Sequence, residues 1–199
     1  GGAHVPIRSE GFFIEHPYTD LLAHYEGEET FSEILLESLN SNPDYTQIQG
    51  LTVRVEGFSS FKTPPRTRIK EVERIPSPYL KGVFDRIMKA PKNQEIQWDV
   101  SQETHRGCPY SCTFCDWGSA VMTKVRAFEN ERLVEEFEWS ARHKTGLLYN
   151  CDANYGLLKR DLELTEKMVE IKAKYGYPRE FRAAFAKNSN ERVFQIGKM

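Results

Sequence analysis

The hydrophobic pattern of the second half of the chain alternates between strand-like and helix-like segments. Alternating apolar and polar residues predict a strand at residues 96–101, and short apolar runs predict further strands at residues 147–151 and 181–185. Apolar residues that recur at spacings of three and four predict helices at residues 130–143 and about 162–175. Strands that alternate with helices of this length indicate a parallel sheet with crossover helices. Because a closed barrel needs more βα units than these residues contain, we expect an incomplete barrel.

The first 60 residues show a weaker pattern of the same kind. An apolar run at residues 20–25 is followed by a glycine-containing loop and a predicted helix at residues 30–40, whose start, Thr30-Phe31-Ser32-Glu33, has the form of a capping box. A further strand is predicted at residues 51–55. Strand, glycine loop and helix form the repeating unit of a doubly wound α/β sheet, whose ligands bind at the carboxyl ends of strands. On these residues alone an ordinary α/β scaffold is favoured over a ligand-binding domain, since short glycine motifs are weakly specific.

A stretch with several prolines separates these two patterns. Residues 68–72 are predicted to pair with the strand at 51–55, across a loop that contains Pro64 and Pro65. An amphipathic helix is predicted at residues 80–88. Proline-rich composition between two α/β patterns is typical of a connector. We therefore expect residues 1–60 and 96–199 to belong to two domains, joined by residues 61–95.

Composition and charge restrict the possible partners and locations. The chain has 27 basic and 29 acidic residues, a net charge of −2, which leaves no basic excess for binding nucleic acid. It contains no apolar run of the roughly 20 residues that a membrane span needs, and no secretion signal, so we expect a cytoplasmic protein. The chain begins with Gly1-Gly2 and ends without a closing element. We therefore expect it to be a piece of a longer protein and to be inactive alone.

Three of the four cysteines lie close together. Cys108, Cys112 and Cys115 are separated by three and two residues, whereas Cys151 is more than thirty residues away on a predicted strand. A structural zinc site usually has four ligands in two pairs, and bacterial ferredoxins use a tighter, fully ligated spacing. Three thiolates on a four-iron cluster would leave one iron open to a substrate. The spacing therefore predicts a [4Fe–4S] cluster, with Cys151 expected to be a small buried hydrophobic residue. A non-catalytic zinc or electron-transfer site that includes Cys151 stays open.

Two longer segments resemble a known family. The run from Arg106 to Gly118, which contains the three cysteines and Phe114 just before the last of them, resembles the radical S-adenosylmethionine (SAM) superfamily. Together with the run from Ile75 to Gly82, it resembles the cobalamin (B12)-binding branch of that superfamily. The resemblance implies an α/β fold in two parts. The C-terminal part of a Rossmann-like cobalamin-binding domain would come first, followed by the first βα units of a partial, TIM-like radical SAM barrel.

The same resemblance implies a reaction. Cys108, Cys112 and Cys115 would hold a [4Fe–4S] cluster whose open iron binds SAM, and one electron would cleave SAM to methionine and a 5′-deoxyadenosyl radical. In this branch methylcobalamin often delivers a methyl group to the substrate radical, so the resemblance favours methyl transfer to an unactivated carbon. A cyclisation or rearrangement that uses the same cofactors is the alternative. An electron donor such as flavodoxin or ferredoxin is implied as a partner, while the sequence does not identify the substrate.

Further cofactor contacts follow from the resemblance alone. Phe114 would lie beside the SAM adenine. Asp152 and Asn154 follow a predicted strand at the place where the superfamily often binds the SAM amino group through a Gly-Gly-Glu motif. This chain departs from that motif, and a turn with an Asp cap explains the two residues equally well. The residues expected to approach cobalamin are Gly1, Gly2, Glu26, Gly27 and Glu28. None of the histidines is expected to be a metal ligand, and most of them are expected to be solvated or turn residues: His4, His16, His24, His105 and His143.

Overall fold

The computed structural model of the chain describes residues 5–6, 8–9, 11–57, 59–93, 95–115 and 123–199. The chain divides into two compact units, Gly1–Lys70 and Glu71–Met199. The finer division of the sequence into residues 1–60, 61–95 and 96–199 stays a prediction. Gly1, Gly2 and His4 lie outside the described residues, as do residues 116–118 of the resemblance motif.

The first unit is built on a small antiparallel sheet. Its strands β1 (Leu21–Ala23), β2 (Leu51–Arg54) and β3 (Ser60–Lys62) pair in that order, with β2 in the middle. The apolar side of β2 supplies Leu51 and Val53, which are buried with Ile48, and Ile34 of helix α2 packs against this cluster. The elements of this unit are α1 (Phe12–Glu15), β1 (Leu21–Ala23), α2 (Glu28–Glu37), β2 (Leu51–Arg54) and β3 (Ser60–Lys62).

The predicted partner of β2 was wrong. Residues 68–72 form no strand, and β2 pairs instead with β3, in the register Val53 opposite Phe61. The backbone N–H of Ile69, which a strand would use in a sheet ladder, donates to the Glu26 carboxylate at 2.8 Å. A side-chain acceptor has therefore taken the place of a neighbouring strand in this segment.

The predicted capping box was also wrong. Helix α2 begins two residues earlier than predicted, at Glu28, with Gly27 as its N-cap, and Thr30 is fully buried inside its first turn. Glu28 and Glu29 in that turn are favourable because the partial positive charge of a helix N-terminus attracts acidic side chains. The helix ends at Glu37 rather than at residue 40.

The second unit contains the parallel sheet that the sequence predicts. Strands β4, β7 and β8 pair in that order, and both pairs are parallel. Helices α4 and α5 connect these strands, so the mixed α/β class and the crossover helices are confirmed. The elements of this unit are α3 (Asp85–Met88), β4 (Val100–Gln102), β5 (His105–Arg106), β6 (Arg126–Ala127), α4 (Asn130–Arg142), β7 (Leu147–Asn150), α5 (Arg160–Tyr175), β8 (Glu180–Arg182) and α6 (Asn190–Gly197).

The core of the second unit lies between the sheet and its two crossover helices. Leu133 and Phe137 of α4 and Leu164 of α5 are almost completely buried against Leu148 of β7. These residues occupy one face of each helix, which confirms the predicted helices to within two residues at either end. Within the part of the chain that the structure describes, no helix is both long and apolar enough to cross a bilayer.

Several predicted elements of this unit are shorter than expected, among them β8, which ends at Arg182 rather than at residue 185. Strand β4 begins at Val100 rather than at residue 96, because Asp99 uses its carboxylate to accept the N–H of Leu147 at 2.9 Å and so replaces a ladder bond. Helix α3 begins at Asp85 rather than at residue 80. Gly82 has a φ of +67°, which is outside the right-handed helical region and ends any helix that includes it.

Replacement of Phe137 by alanine should lower the free energy of unfolding by about 3–5 kcal/mol, because it leaves a cavity in the core. Phe194→Ala is the matched control, since Phe194 lies on α6 with 63% of its surface exposed. This control should lose about 1 kcal/mol or less. Urea denaturation followed by tryptophan fluorescence would measure both values, and equal losses would contradict this description of the core.

Candidate functional site

The loop that carries the three cysteines leaves the sheet after β4 and is closed at its base. Strands β5 and β6 pair antiparallel there, with His105 opposite Ala127. One step further along, the N–H of Thr123 donates to the carbonyl oxygen of Cys108 at 2.8 Å. We call this base the neck of the cysteine loop, residues 104–108 and 123–128. Residues 116–122 of the loop lie outside the described part of the chain.

Gly107 is required by the close approach of the two sides of the neck. Its φ is +100°, a conformation that other residues rarely adopt. A Cβ atom at this position would lie 2.6 Å from the carbonyl oxygen of Lys124 and 2.8 Å from the hydroxyl of Thr123. Any side chain would therefore push apart the backbone segments that close the loop just before Cys108.

A buried carboxylate ties the neck to the next strand of the sheet. Asp152, two residues after the end of β7, accepts hydrogen bonds from the backbone N–H groups of Thr104 at 2.7 Å and His105 at 3.1 Å. It also accepts a bond from the Thr104 hydroxyl, and its Oδ2 lies 3.1 Å from Nδ1 of His105. The side chains of Asp152 and His105 are completely buried.

The pKa of the Asp152 carboxyl reflects two opposed influences. Burial alone would raise this pKa, because a charge is poorly solvated inside the protein. The hydrogen bond from His105, the charge of His105 and the bonds from Thr104 outweigh burial, and the pKa lies below its ordinary value of 3.8. Asp152 is therefore an ionised acceptor whose oxygens serve the neck. Its predicted contact with SAM stays a prediction.

Arg160, the first residue of α5, binds both sides of the neck. Its guanidinium donates to the carbonyl oxygen of Thr104 at 2.8 Å and, on the other side, to the carbonyl oxygen of Phe128. It also donates to the side chain of Asn130 at 2.8 Å. No sequence pattern identifies this residue, because an arginine at the start of an amphipathic helix is common and its partners lie 30 to 56 residues away along the chain.

The loop after β7 also contacts a cysteine directly. The amide Nδ2 of Asn154 lies 3.0 Å from the Sγ of Cys108 and can donate a hydrogen bond to it. Both residues are buried, with 7% and 6% of their surfaces exposed. The structure thus brings together two residues that the sequence assigns to cofactors, one as a cluster ligand and the other as a SAM contact.

The other two cysteines of the motif are less buried. Cys112 and Cys115 are partly exposed and lie on a turn in which the N–H of Cys115 donates to the carbonyl oxygen of Cys112 at 3.1 Å. Cys151, in contrast, is exposed, so the expectation of a buried residue was wrong. Side chains alternate along a strand, and since Leu148 and Asn150 point into the core, Cys151 continues the solvent-facing side of β7.

The aromatic residue of the motif lies at the surface of the site. Phe114 is 73% exposed, and the Nζ of Lys187 lies 4.8 Å from the centre of its ring. A cation at this distance from a ring face is attracted to it. Lys187 lies in the segment after β8, and no sequence pattern singled it out. The predicted position of Phe114 beside the SAM adenine stays a prediction.

Three segments therefore converge at one edge of the parallel sheet. The cysteine loop follows β4, Asp152 and Asn154 follow β7, and Lys187 follows β8. In parallel α/β sheets the carboxyl ends of the strands form this edge, and ligands bind there. This edge is the candidate functional site.

The donor chemistry of the site fits an iron–sulfur cluster. Cysteine sulfurs are the usual ligands of such clusters, and hydrogen bonds to these sulfurs are one of the ways in which a protein tunes them. The Asn154 amide directed at Cys108 supplies such a bond. Among the described residues, no three His, Cys, Asp or Glu side chains are placed to hold a single metal ion. A four-iron cluster binds its thiolates through separate iron atoms, which is a different arrangement from a single-ion site.

Three of the five residues predicted to approach cobalamin, Glu26, Gly27 and Glu28, lie at the start of α2 in the first unit, and the other two lie outside the described residues. A Cβ atom on Gly27 would meet no atom of the described residues within 4 Å, and Gly27 has an ordinary φ of −99°. The described part of the chain therefore leaves space beside this glycine. Glu26 accepts the N–H of Ile69, and Glu28 begins the helix. The cobalamin contacts of Glu26, Gly27 and Glu28 stay predictions.

Two histidines are neither solvated nor turn residues. His24 is buried and its Nε2 lies 2.8 Å from the Thr52 hydroxyl. His105 is buried beside Asp152. Both imidazoles have polar partners within the core, where a polar group needs one.

Comparison with curated proteins finds close relatives for this chain. It is 48% identical over 198 residues to the cobalamin-dependent radical SAM methyltransferase TokK of Streptomyces tokunonensis. It is also 48% identical over 198 residues to the 2-(S-pantetheinyl)-carbapenam-3-carboxylate methyltransferase of Streptantibioticus cattleyicolor. Each alignment covers the whole chain and 29% of the relative, so the chain spans less than a third of the length of these proteins. No family model matches the chain.

Solved structures show the same fold. The cobalamin-dependent SAM radical enzyme OxsB superimposes with a TM-score of 0.61 over 98% of this chain and 28% of its own, at 19% identity. The radical SAM methyltransferase TsrM of Kitasatospora setae, with cobalamin and a [4Fe–4S] cluster bound, superimposes with a TM-score of 0.60 over 92% of this chain and 37% of its own, at 17% identity. Together with the relatives at 48% identity and the cysteine motif, these matches show that the chain belongs to the cobalamin-binding branch of the radical SAM superfamily.

Proposed function

We propose that the protein is a cobalamin-dependent radical SAM methyltransferase that transfers a methyl group to an unactivated carbon. The observation that carries this proposal is the position of the cysteine loop. It lies at the carboxyl edge of the parallel sheet, with Cys108 buried against Asn154. The two relatives at 48% identity, both named as methyltransferases, favour methyl transfer over the cyclisation or rearrangement that the same cofactors support.

In this proposal Cys108, Cys112 and Cys115 hold a [4Fe–4S] cluster. When bound, the cluster supplies the electron that cleaves SAM to methionine and a 5′-deoxyadenosyl radical, while cobalamin supplies the methyl group. The chain itself positions the ligands. Asp152 and Arg160 fix the neck, and Gly107 allows its two sides to meet just before the first ligand.

The other cofactor contacts are part of the proposal. Phe114 would lie against the SAM adenine, with Lys187 on one face of its ring. Glu26, Gly27 and Glu28 would contact cobalamin, where the open space beside Gly27 supports such a contact. An electron donor such as flavodoxin or ferredoxin would reduce the cluster.

The relatives also suggest a substrate to test. The protein from S. cattleyicolor is named for methylation of 2-(S-pantetheinyl)-carbapenam-3-carboxylate. We propose a compound of that class, a bicyclic carboxylate that carries a pantetheine thioether, as the first substrate for an assay of the full-length protein.

Replacement of Cys112 by alanine in the full-length protein should abolish SAM cleavage, because loss of one thiolate exposes a second iron and destabilises the cluster. Cys151→Ala is the matched control, since this thiol is exposed and lies outside the motif. Iron and sulfide content after anaerobic reconstitution, together with release of 5′-deoxyadenosine, would measure both effects. If Cys151→Ala also loses its metal, or if the purified protein contains zinc and no iron, the alternative of a zinc or electron-transfer site is supported instead.

Turnover with 2-(S-pantetheinyl)-carbapenam-3-carboxylate should yield S-adenosylhomocysteine, 5′-deoxyadenosine and a product heavier by one methylene. This combination is expected because one SAM methylates cobalamin and another provides the radical. Liquid chromatography with mass spectrometry would measure all three. Formation of 5′-deoxyadenosine and a changed substrate, without S-adenosylhomocysteine, would indicate a cyclisation or rearrangement.

Asp152→Asn should lower the free energy of unfolding of the apoprotein at neutral pH by about 1.5–3 kcal/mol, since the bonds it accepts are then no longer charge-assisted. Asp99→Asn is the control, because Asp99 is exposed and accepts one backbone N–H. The folded pKa of Asp152 is lowered, so its contribution is present above the ordinary value of 3.8 and is lost as the pH falls through the folded value. Urea denaturation at several pH values should therefore show the difference from wild type shrinking below pH 3.8. A difference that stays constant in acid would contradict an ionised Asp152.

A further inference from the structure

The side chain of Asn154 is directed at a cysteine sulfur and is buried together with it. Its Nδ2 lies 3.0 Å from the Sγ of Cys108, and less than a tenth of either residue is exposed. An amide N–H is a donor and a cysteine sulfur is an acceptor, so the contact is a hydrogen bond with a defined direction. Because water has little access to either residue, it cannot easily replace this bond.

The backbone on both sides of Asn154 is held in place. Tyr155, the next residue, pairs with the segment after β8. Its N–H donates to the carbonyl oxygen of Ala184 at 2.9 Å, and its carbonyl oxygen accepts the N–H of Ala186 at 2.8 Å. The Tyr155 ring is completely buried, and its hydroxyl lies 2.9 Å from that of Thr165. Asp152, two residues before Asn154, is bound to the neck. The donor is therefore preorganised toward the sulfur.

A donor in this position acts on the charge of a cluster ligand. Reduction adds one electron to a cluster, and part of the added charge resides on its cysteine sulfurs. A hydrogen bond to such a sulfur therefore stabilises the reduced form more than the oxidised form, and the effect is larger where the local dielectric constant is low. Hydrogen bonds to charged groups are about twice as strong as bonds between neutral groups.

We infer that Asn154 raises the reduction potential of the cluster through its hydrogen bond to Cys108. This inference rests on the proposed function, since it requires Cys108 to be a cluster ligand. It gives Asn154 a role as a positioning residue for electron transfer: a higher potential makes the cluster easier to reduce by a donor of the flavodoxin or ferredoxin type. The role differs from the predicted contact with the SAM amino group, because it acts before SAM is bound.

The inference is tested by the midpoint potential of the reconstituted cluster in the full-length protein without SAM. Asn154→Leu keeps a similar volume and removes the donor, and Asn154→Ala removes it without adding bulk. Each should lower the equilibrium constant for reduction by about tenfold, which corresponds to about 59 mV for a one-electron couple. Asn188→Leu is the matched control, because Asn188 is exposed in the segment after β8. The midpoint potential of the cluster in this variant should equal that of wild type. A redox titration monitored by EPR measures all four proteins.

The outcomes separate the inference from the function on which it rests. If wild type binds no cluster after reconstitution, the proposed function fails. If wild type and Asn154→Leu bind equal amounts of cluster and have equal potentials, the inference is overturned while the proposed function stands. If Asn154→Leu binds no cluster, the midpoint potential of Asn154→Ala is compared with that of wild type instead, and equal potentials again overturn the inference. If the Asn154 variants bind SAM more weakly but keep the midpoint potential of wild type, the hydrogen bond to Cys108 does not tune the cluster. That result would support the predicted contact of Asn154 with SAM.

Discussion

The buried carboxylate of Asp152 is the interaction on which the candidate site depends. A parallel sheet places the ends of its strands at one edge, but it does not fix the loops that leave them. Asp152 fixes the base of the cysteine loop, because its carboxylate accepts hydrogen bonds from the backbone N–H groups and from the side chains of Thr104 and His105. An ionised carboxylate is costly inside a protein unless it is paired and hydrogen-bonded. Here Thr104 and His105 of the neck supply most of the partners of Asp152, and the side-chain amide of Asn150 on β7 supplies one more. The charge and the loop thus stabilise one another.

This interaction connects the fold to the chemistry. Strand β7 lies beside β4 in the sheet, so a residue just beyond its end reaches the base of the cysteine loop. Asn154, two residues further along, reaches Cys108 itself. Arg160 approaches the same neck from the start of the following helix. One βα unit therefore supports the ligand loop of the preceding unit, and the site does not require the loop to be stable alone.

The parts of the structure that could be predicted from the sequence are those that local patterns determine. The cysteine spacing identified the ligand loop, and helices α4 and α5 were predicted because Leu133, Phe137 and Leu164 follow a helical period. The contacts of Asp152 and Asn154 with the neck could not be predicted, since these partners lie 46 to 48 residues away and depend on the register of β4 and β7. The strand predicted at 68–72 failed for a related reason. The backbone N–H of Ile69 donates to the Glu26 carboxylate, which lies more than forty residues earlier in the chain, instead of to a neighbouring strand.

The closed neck has a consequence for how a cofactor would be acquired. Bringing the two ends of a flexible loop together costs conformational entropy that grows with the logarithm of the loop length. The bond from Thr123 to Cys108 and the pairing of β5 with β6 impose this cost when the protein folds. A cluster that binds later needs to order only the residues between the two ends. The cysteine loop of the apoprotein is therefore partly preorganised for cluster binding. Its affinity for a cluster should depend on the stability of the neck as well as on the thiolates.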